Sequence, residues 1–272
     1  MSTSLFRAML KPSEIKQFKR DGHLIVRGAF APATLIDLGE KLEHARSEGV
    51  LANDAEARKD PNAFFWRRSA EIAKFVLDPG LGEVVSDLLD VDGVKLIHES
   101  LFEKKVGASN VKWHRDSFFW SYKGAGAVTV WIPLQDTPIS MSPLRYASGS
   151  HRERNTRRLG RLEEMLVPLR YPVAISPLKL GDIIIHHAEV LHGATRKKDP
   201  TTRKALSLHL FDKNARVLHT TDPVQHQHAQ RCGWDKLEGG VSFPEHIAPT
   251  VFDRSNASMG NVPYLKAMAQ QA

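Results

Sequence analysis

A histidine and an aspartate stand two positions apart in Val111-Lys112-Trp113-His114-Arg115-Asp116-Ser117-Phe118-Phe119-Trp120. Side chains alternate faces along a strand, so an extended chain puts His114 and Asp116 on one face, able to grip a single metal ion. In an arbitrary strand such a pair is more often surface chemistry. Here Trp113, Phe118, Phe119 and Trp120 argue against a solvated strand, and a buried Asp116 needs a cation to offset its lost hydration. Two imidazoles and one carboxylate on one face of Fe(II) leave adjacent coordination positions open. The third ligand is expected in Ile185-His186-His187-Ala188-Glu189-Val190-Leu191-His192-Gly193-Ala194, where His186, His187 and His192 compete. The Leu-His-Gly context and the spacing of eleven residues to Arg203 favour His192. Arg203 is a fixed cation whose planar fork suits the far carboxylate of a dicarboxylic acid. His114, Asp116, His192 and Arg203 together are what an oxygenase using Fe(II), 2-oxoglutarate and O2 requires, with the metal and cosubstrate carrying the oxidation and the protein orienting them.

In the order and spacing of its motifs the chain resembles the phytanoyl-CoA dioxygenase family, which includes ectoine hydroxylase and many hydroxylases of small metabolites. The resemblance runs over roughly residues 11 to 212. Besides the triad and Arg203 it rests on Phe18-Lys19-Arg20-Asp21-Gly22, on Trp131 in Val130-Trp131-Ile132-Pro133-Leu134, and on Gly149-Ser150-His151 after Tyr146-Ala147-Ser148. It implies an α+β chain, a double-stranded β-helix (a jelly-roll, cupin-like barrel) with flanking N-terminal helices. It further implies a dioxygenase that hydroxylates or otherwise oxidises a small-molecule metabolite, with release of succinate and CO2. By the same resemblance Lys104 and Ser100 help to hold 2-oxoglutarate and Trp131 borders it. Trp120 is the aromatic expected to contact bound substrate, and the Gly-Ser-His turn is structural. Val106-Gly107 stands where the family often has Pro before Gly, so the choice between Lys104 and Lys105 rests on strand register, and Lys104 is favoured. Arg145, in a segment near the site mouth, is expected to meet an anionic substrate, with a surface ion pair as the alternative.

Composition bounds the rest. The 272 residues suit one domain, residues 1–272, with the barrel core at about 93–212 and a tail or lid at 213–272. Neither an apolar run of membrane-spanning length nor a signal-peptide core is present, and a single cysteine, Cys232, excludes an internal disulfide, so the expectation is a cytoplasmic chain with no membrane partner. Net charge is +7 with a pI near 9.5. The basic stretches Arg152–Arg158 and Arg196-Lys197-Lys198 carry no interleaved aromatics, and so read as solvated loops rather than a nucleic-acid groove. A monomer or homodimer acting on a small molecule is expected.

Local patterns place helices at 13–20, 32–48, 69–77 and 81–89, the last two parted by an Asp78-Pro79-Gly80 turn. A strand is read at 23–29, and Phe64-Phe65-Trp66 as packing. From Gly93 the period becomes two. His98, Ser100, Phe102 and Lys104 share one face of a strand at 95–106, and Val128, Val130 and Ile132 oppose Thr129 and Trp131 at 127–134. A loop with a short helix follows at 152–172, then strands at 173–175, 182–187 and 204–211. The tail reads as irregular, with Gly239-Gly240 a hinge and Trp234, Phe243 and Phe252 able to close over the site; His226 and His228 read as surface residues and Cys232 as incidental. Two other functions compete. A halogenase of the same fold lacks the metal-binding carboxylate that Asp116 supplies, and a non-catalytic metal-binding jelly roll with closed four-coordinate zinc would leave Arg203 without a role.

Overall fold

The computed structural model describes residues 4–51, 60–153 and 158–255. Its centre is a six-stranded antiparallel sheet of order β1-β8-β5-β10-β2-β12. These strands are β1 (His23–Val26), β2 (Gly93–Lys104), β5 (Ala127–Pro133), β8 (Ile183–His187), β10 (Arg203–Asp212) and β12 (Thr250–Asp253). A four-stranded sheet of order β3-β9-β6-β7 faces it, built from β3 (Val111–His114), β6 (Leu144–Ala147), β7 (Val173–Ile175) and β9 (His192–Ala194). β4 (Tyr122–Lys123) pairs with β11 (Arg216–Val217) apart from both.

The large sheet has two chemically different faces because side chains alternate along its strands, with a bulge where β10 pairs with β2. Val128, Val130, Ile132, Leu206, Leu208, Leu210, Ile183 and Ile185 point one way and join the main apolar core. Helices α1 (Pro12–Asp21), α2 (Pro32–Leu51), α3 (Ala70–Val76) and α4 (Pro79–Leu89) cover that face through Phe18, Leu35, Leu38, Leu42, Ile72 and Leu81. Phe65 and Trp66 are fully buried in the same core, so the aromatic patch packs as read from sequence. Asp78 is the cap of α4 rather than part of a separate turn. Its carboxylate accepts from Gly80 N and Leu81 N while Pro79 takes the first helical position, where no N–H is needed.

The other face of the large sheet looks toward the small one and mixes polar, aromatic and aliphatic side chains. Trp131, Ile184 and Ala205 meet Tyr146 and Leu144 there in a separate small cluster, which makes the space between the sheets. The two-sheet, all-antiparallel arrangement is the jelly roll. Gly181 lies in the turn entering β8 with φ +108, and an added Cβ would stand 2.8 Å from Phe30 O. Asp182 beside it accepts from Arg27, Gly28 N and Lys179 N, tying this turn to the end of β1.

Three local readings are corrected. The tail is not irregular as far as Ser255: β12 adds a strand to the edge of the large sheet, α6 (Pro223–Cys232) follows the short α5 (Arg161–Arg170) in chain order, and Trp234 and Phe243 are buried in a cluster with Ile97 and Phe211. A hinge at Gly239-Gly240 would therefore have to free segments built into the core; residues 256–272 of the expected lid lie outside the described residues. His228 is buried, whereas His226 is exposed, because the segment is helical and the two residues face different ways. Lys197 is also buried, at 1% exposure, between exposed Arg196 and Lys198. Of the Arg152–Arg158 stretch, residues 154–157 lie outside the described residues, as do 52–59. No helix among the described residues is long and apolar enough to cross a membrane.

Candidate active site

β3 is the edge strand of the small sheet and pairs antiparallel with β9, which sets His114 directly opposite His192. Strand geometry ends at His114, but Arg115 remains extended at φ −113, ψ 138 before a short 3-10 turn begins at Asp116. One extended residue is enough to keep the two-residue alternation, so Asp116 still falls on the side of His114. The ligand atoms of His114, Asp116 and His192 all lie within 4.8 Å of one another. Asp116 Oδ1 is 3.8 Å from His114 Nε2 and 3.5 Å from His192 Nε2. Adjacent ligands each roughly 2.1 Å from one metal stand about 3 Å apart, so the set closes on an ion with shifts of under about an ångström.

Hydrogen bonds decide which atoms face inward. His114 Nδ1 donates to Lys112 O at 2.9 Å and His192 Nδ1 donates to Val190 O at 3.1 Å, each to the carbonyl two residues back. Both rings therefore turn Nε2 toward Asp116. The carboxylate is oriented from its other oxygen: Asp116 Oδ2 accepts from Thr129 Oγ1 at 2.5 Å and from His186 Nε2 at 3.1 Å. A carboxylate can only accept, so His186 carries its proton on Nε2 and its Nδ1 accepts from the Tyr146 hydroxyl at 3.2 Å. Thr129, having spent its proton, accepts from His209 Nδ1 at 2.9 Å. Such outer partners fix ligand orientation and tautomer at metal sites.

Charge follows the same design. Burial alone would raise the Asp116 pKa, but the imidazoles of His192 and His186 hold it well below the usual carboxylate range. Burial, with His114 adding to it, holds His192 well below the usual histidine value. An ionised Asp116 beside a neutral His192 is the protonation state a divalent cation needs. The residues present thus fit the metal that their types suggest.

Arg115, between the two ligands in sequence, points away from them. Its guanidinium donates to Ser150 O and to Glu189 O, while Ser150 Oγ accepts from Leu191 N at 2.8 Å. The Gly149-Ser150-His151 turn therefore ties the backbone of the first ligand pair to that of the third ligand, the structural role read for it. Gly193 completes the arrangement: a Cβ there would meet Val111 O at 2.7 Å and Lys112 O at 3.1 Å, so only glycine lets β3 lie this close to β9.

The remaining predicted residues divide into two groups. Arg203 and Lys104 are cross-strand partners on β10 and β2, and both are buried. The Arg203 guanidinium stands 5.2 Å from the Trp131 ring centre, donates to Ser142 O, and leaves Nε without a partner. Lys104 Nζ donates to Thr195 O at 2.8 Å and Ser109 O at 3.0 Å. Burial lowers Lys104 to about 8, with Arg203, Arg145 and Lys197 adding to the effect, and burial lowers Arg203 to about 10. No carboxylate pairs with either among the described residues, so two unneutralised cations stand side by side next to Trp131. Lys105, by contrast, is exposed.

Ser100, Trp120 and Arg145 lie elsewhere. Ser100 is buried four residues down β2, where its hydroxyl accepts from Arg231 Nη2 at 3.3 Å. Trp120 packs edge-on against His209 at 5.3 Å within the tail cluster. Arg145 alternates with Tyr146, so it occupies the outer face of the small sheet, 4.3 Å from the Trp113 ring centre, and the structure does not bring it to the triad. Sequence reading missed Thr129, His186, His209 and Tyr146 as supports. For Thr129 and His209 a signal existed: each shares a strand face with a predicted site residue, Trp131 and Arg203 respectively. A cleft of about 360 Å³ borders His114, lined by Trp113, Phe118, Phe119, Arg158, Leu159 and Leu191 and by Lys112, which stands 3.8 Å from Glu164 in the same lining.

Comparison with known proteins agrees with this fold. Residues 7–205 match the family model described as phytanoyl-CoA dioxygenase (PhyH). The chain belongs to the phytanoyl-CoA dioxygenase family. It is 21% identical over 269 residues to phytanoyl-CoA dioxygenase domain-containing protein 1 of Danio rerio, covering 77% of this chain and 92% of that protein. Among solved structures it resembles the non-heme alpha ketoglutarate dependent epimerase SnoN from nogalamycin biosynthesis, with a TM-score of 0.72, 20% identity, and coverage of 88% of this chain and 97% of that one. It also resembles EctD from S. alaskensis solved with 2-oxoglutarate and 5-hydroxyectoine, with a TM-score of 0.69, 18% identity and 86% of each chain covered.

Proposed function

We propose that the protein is a non-haem Fe(II)- and 2-oxoglutarate-dependent dioxygenase that hydroxylates a small-molecule metabolite bearing an anionic group. The observation that carries the reading is the convergence of two Nδ1-anchored imidazoles on the one free oxygen of Asp116. His114, Asp116 and His192 would hold the metal, and Arg203 with Lys104 the far carboxylate of the cosubstrate. When bound, Fe(II) with 2-oxoglutarate supplies the oxidising power from O2, releasing succinate and CO2.

The chain's own part is orientation and exclusion. Thr129 and His186 hold the Asp116 carboxylate so that one oxygen stays free. Trp131 braces the Arg203 guanidinium face so that its fork stays aimed. Ile184, Ala205, Val190 and Tyr146 keep the surrounding space apolar, which limits water near the reacting centre. The cleft at His114 falls within the size range of metabolite pockets and its aromatic walls suit an apolar body, while the net charge of +7 favours a substrate carrying an anionic group. Nucleic acid is not expected, since no aromatic residues interleave with the basic stretches of the sequence. SnoN, an epimerase of this fold, shows that oxidation outcome does not follow from fold, so hydroxylation is tested directly. Succinate formation and product mass should be measured with a metabolite panel, with and without Fe(II), and with Asp116→Ala. Iron-dependent, substrate-triggered succinate that Asp116→Ala lacks supports the proposal. A chain that binds neither Fe(II) nor 2-oxoglutarate overturns it.

A further inference from the structure

We infer that the chain carries a second metal site, at His98, His228 and Cys232, suited to a borderline-soft cation such as Zn(II). His228 and Cys232 are four apart on α6 and so share one helix face, while His98 comes from the inward face of β2. Their candidate ligand atoms all lie within 4.8 Å of one another. Cys232 Sγ is 3.7 Å from His228 Nε2 and 3.8 Å from its Nδ1. A thiolate about 2.3 Å and an imidazole about 2.0 Å from tetrahedral zinc stand roughly 3.6 Å apart, so this edge of the site is already at coordination spacing.

Burial and satisfaction distinguish the cluster from ordinary packing. Exposure is 4% for His98, 8% for His228 and 0% for Cys232. A buried cysteine alone usually serves as a small apolar side chain. Here it faces two imidazoles, and His98 Nδ1 is buried with no hydrogen-bond partner. An orphaned buried nitrogen costs the fold its full desolvation, and a metal would remove that cost. Two guanidiniums flank the cluster, each with partners of its own: Arg231 pairs with Asp60 and donates to Ser100, and Arg67 donates to Cys232 O at 3.3 Å; their positive field favours the thiolate that a bound cation needs. Burial raises the Cys232 thiol to about 12, so a metal rather than solvent would have to form the thiolate. On binding, the thiol proton leaves to solvent as the metal–sulfur bond forms, and the two neutral imidazoles contribute lone pairs.

The site is separate from the iron centre yet next to its support. The His98 and His209 rings lie 4.5 Å apart, and His209 bonds to the Thr129 that holds Asp116. A metal here would clamp α6, and with it the tail, onto β2.

Cys232 is the single cysteine, which makes the wild-type protein its own test. Chelator-treated full-length chain is titrated with Co(II) and followed by absorption, then challenged with Zn(II). The expected result is a near-ultraviolet thiolate-to-cobalt charge-transfer band that Zn(II) abolishes. Asp116→Ala should keep the band, and Cys232→Ser and His228→Asn should lose it together with one bound equivalent. A wild-type protein that saturates with Co(II) and shows no sulfur band overturns the inference, even if the variants do not fold. A band that Asp116→Ala removes also overturns it, since the site would then not be independent of the triad. Loss of Co(II) binding at the triad with the sulfur band intact would instead count against the proposed iron site alone.

Discussion

Arg203 stands directly opposite Lys104 across the β10–β2 pair, two buried cations in register with no carboxylate between them among the described residues. Like charges directly opposite each other destabilise a sheet by roughly 0.2–1 kcal/mol, and burial enlarges that cost. The arrangement makes sense when a dianion fills the gap. Arg203→Ala should therefore leave the apo fold as stable as the parent or slightly more so, while raising the KM for 2-oxoglutarate about ten- to a hundredfold, the worth of roughly 1.5–3 kcal/mol of charged hydrogen bonding. Melting curves with and without 2-oxoglutarate, together with steady-state kinetics, check both halves. Equal loss of affinity for substrate and cosubstrate would point to a folding defect.

Thr129→Val removes one of the two donors on Asp116 Oδ2 and leaves His209 Nδ1 without its acceptor. Loss of such an outer partner typically weakens a metal site about 10- to 100-fold. Anaerobic Fe(II) titration should show that drop, with Asp116→Ala losing binding altogether. Unchanged affinity in Thr129→Val would mean that His186 alone orients the carboxylate.

Gly193→Ala tests the strand pairing that brings the histidines together. Its Cβ would collide with the β3 backbone, so β3 must move away from β9 and carry His114 from His192. The variant is expected to fold, because the helix-covered core does not involve this pair, yet to bind Fe(II) at least about tenfold more weakly. Wild-type affinity would show that β3 has slack at this crossing.

Glu99 carries a pH-dependent stability. It is fully buried, accepts one hydrogen bond from Trp66 N and leaves Oε2 unpaired, and burial raises it from 4.5 to about 7. The folded state thus binds the proton more tightly than the unfolded chain. Its contribution is fully present below about 4.5 and is lost as pH rises through about 7. Glu99→Gln should flatten the fall in Tm across that window and stabilise the protein at pH above it. A parallel decline in both proteins would assign the slope to other groups.

Much of the site was legible in the sequence because it depends on local rules. Alternation put His114 and Asp116 on one side, Thr129 and Trp131 on another strand's face, and His98, Ser100 and Lys104 in line along β2; the planar fork of Arg203 suggested its ligand. The same rule decided Lys104 over Lys105 once the strand's inward face was known. What only the tertiary structure decided was pairing between distant segments. That His114 opposes His192, that Arg203 opposes Lys104, and that Asp116 is held by residues thirteen and seventy positions away are matters of register, which no single strand encodes. The sequence placed Arg145 near the site mouth, but the side of the small sheet it occupies follows from Tyr146 facing His192. Cys232 read as incidental and His228 as a surface residue because their meaning needs His98, carried by β2, which folding brings against α6. Helical spacing puts two of the three ligands together; only the closing of the tail onto the large sheet supplies the third.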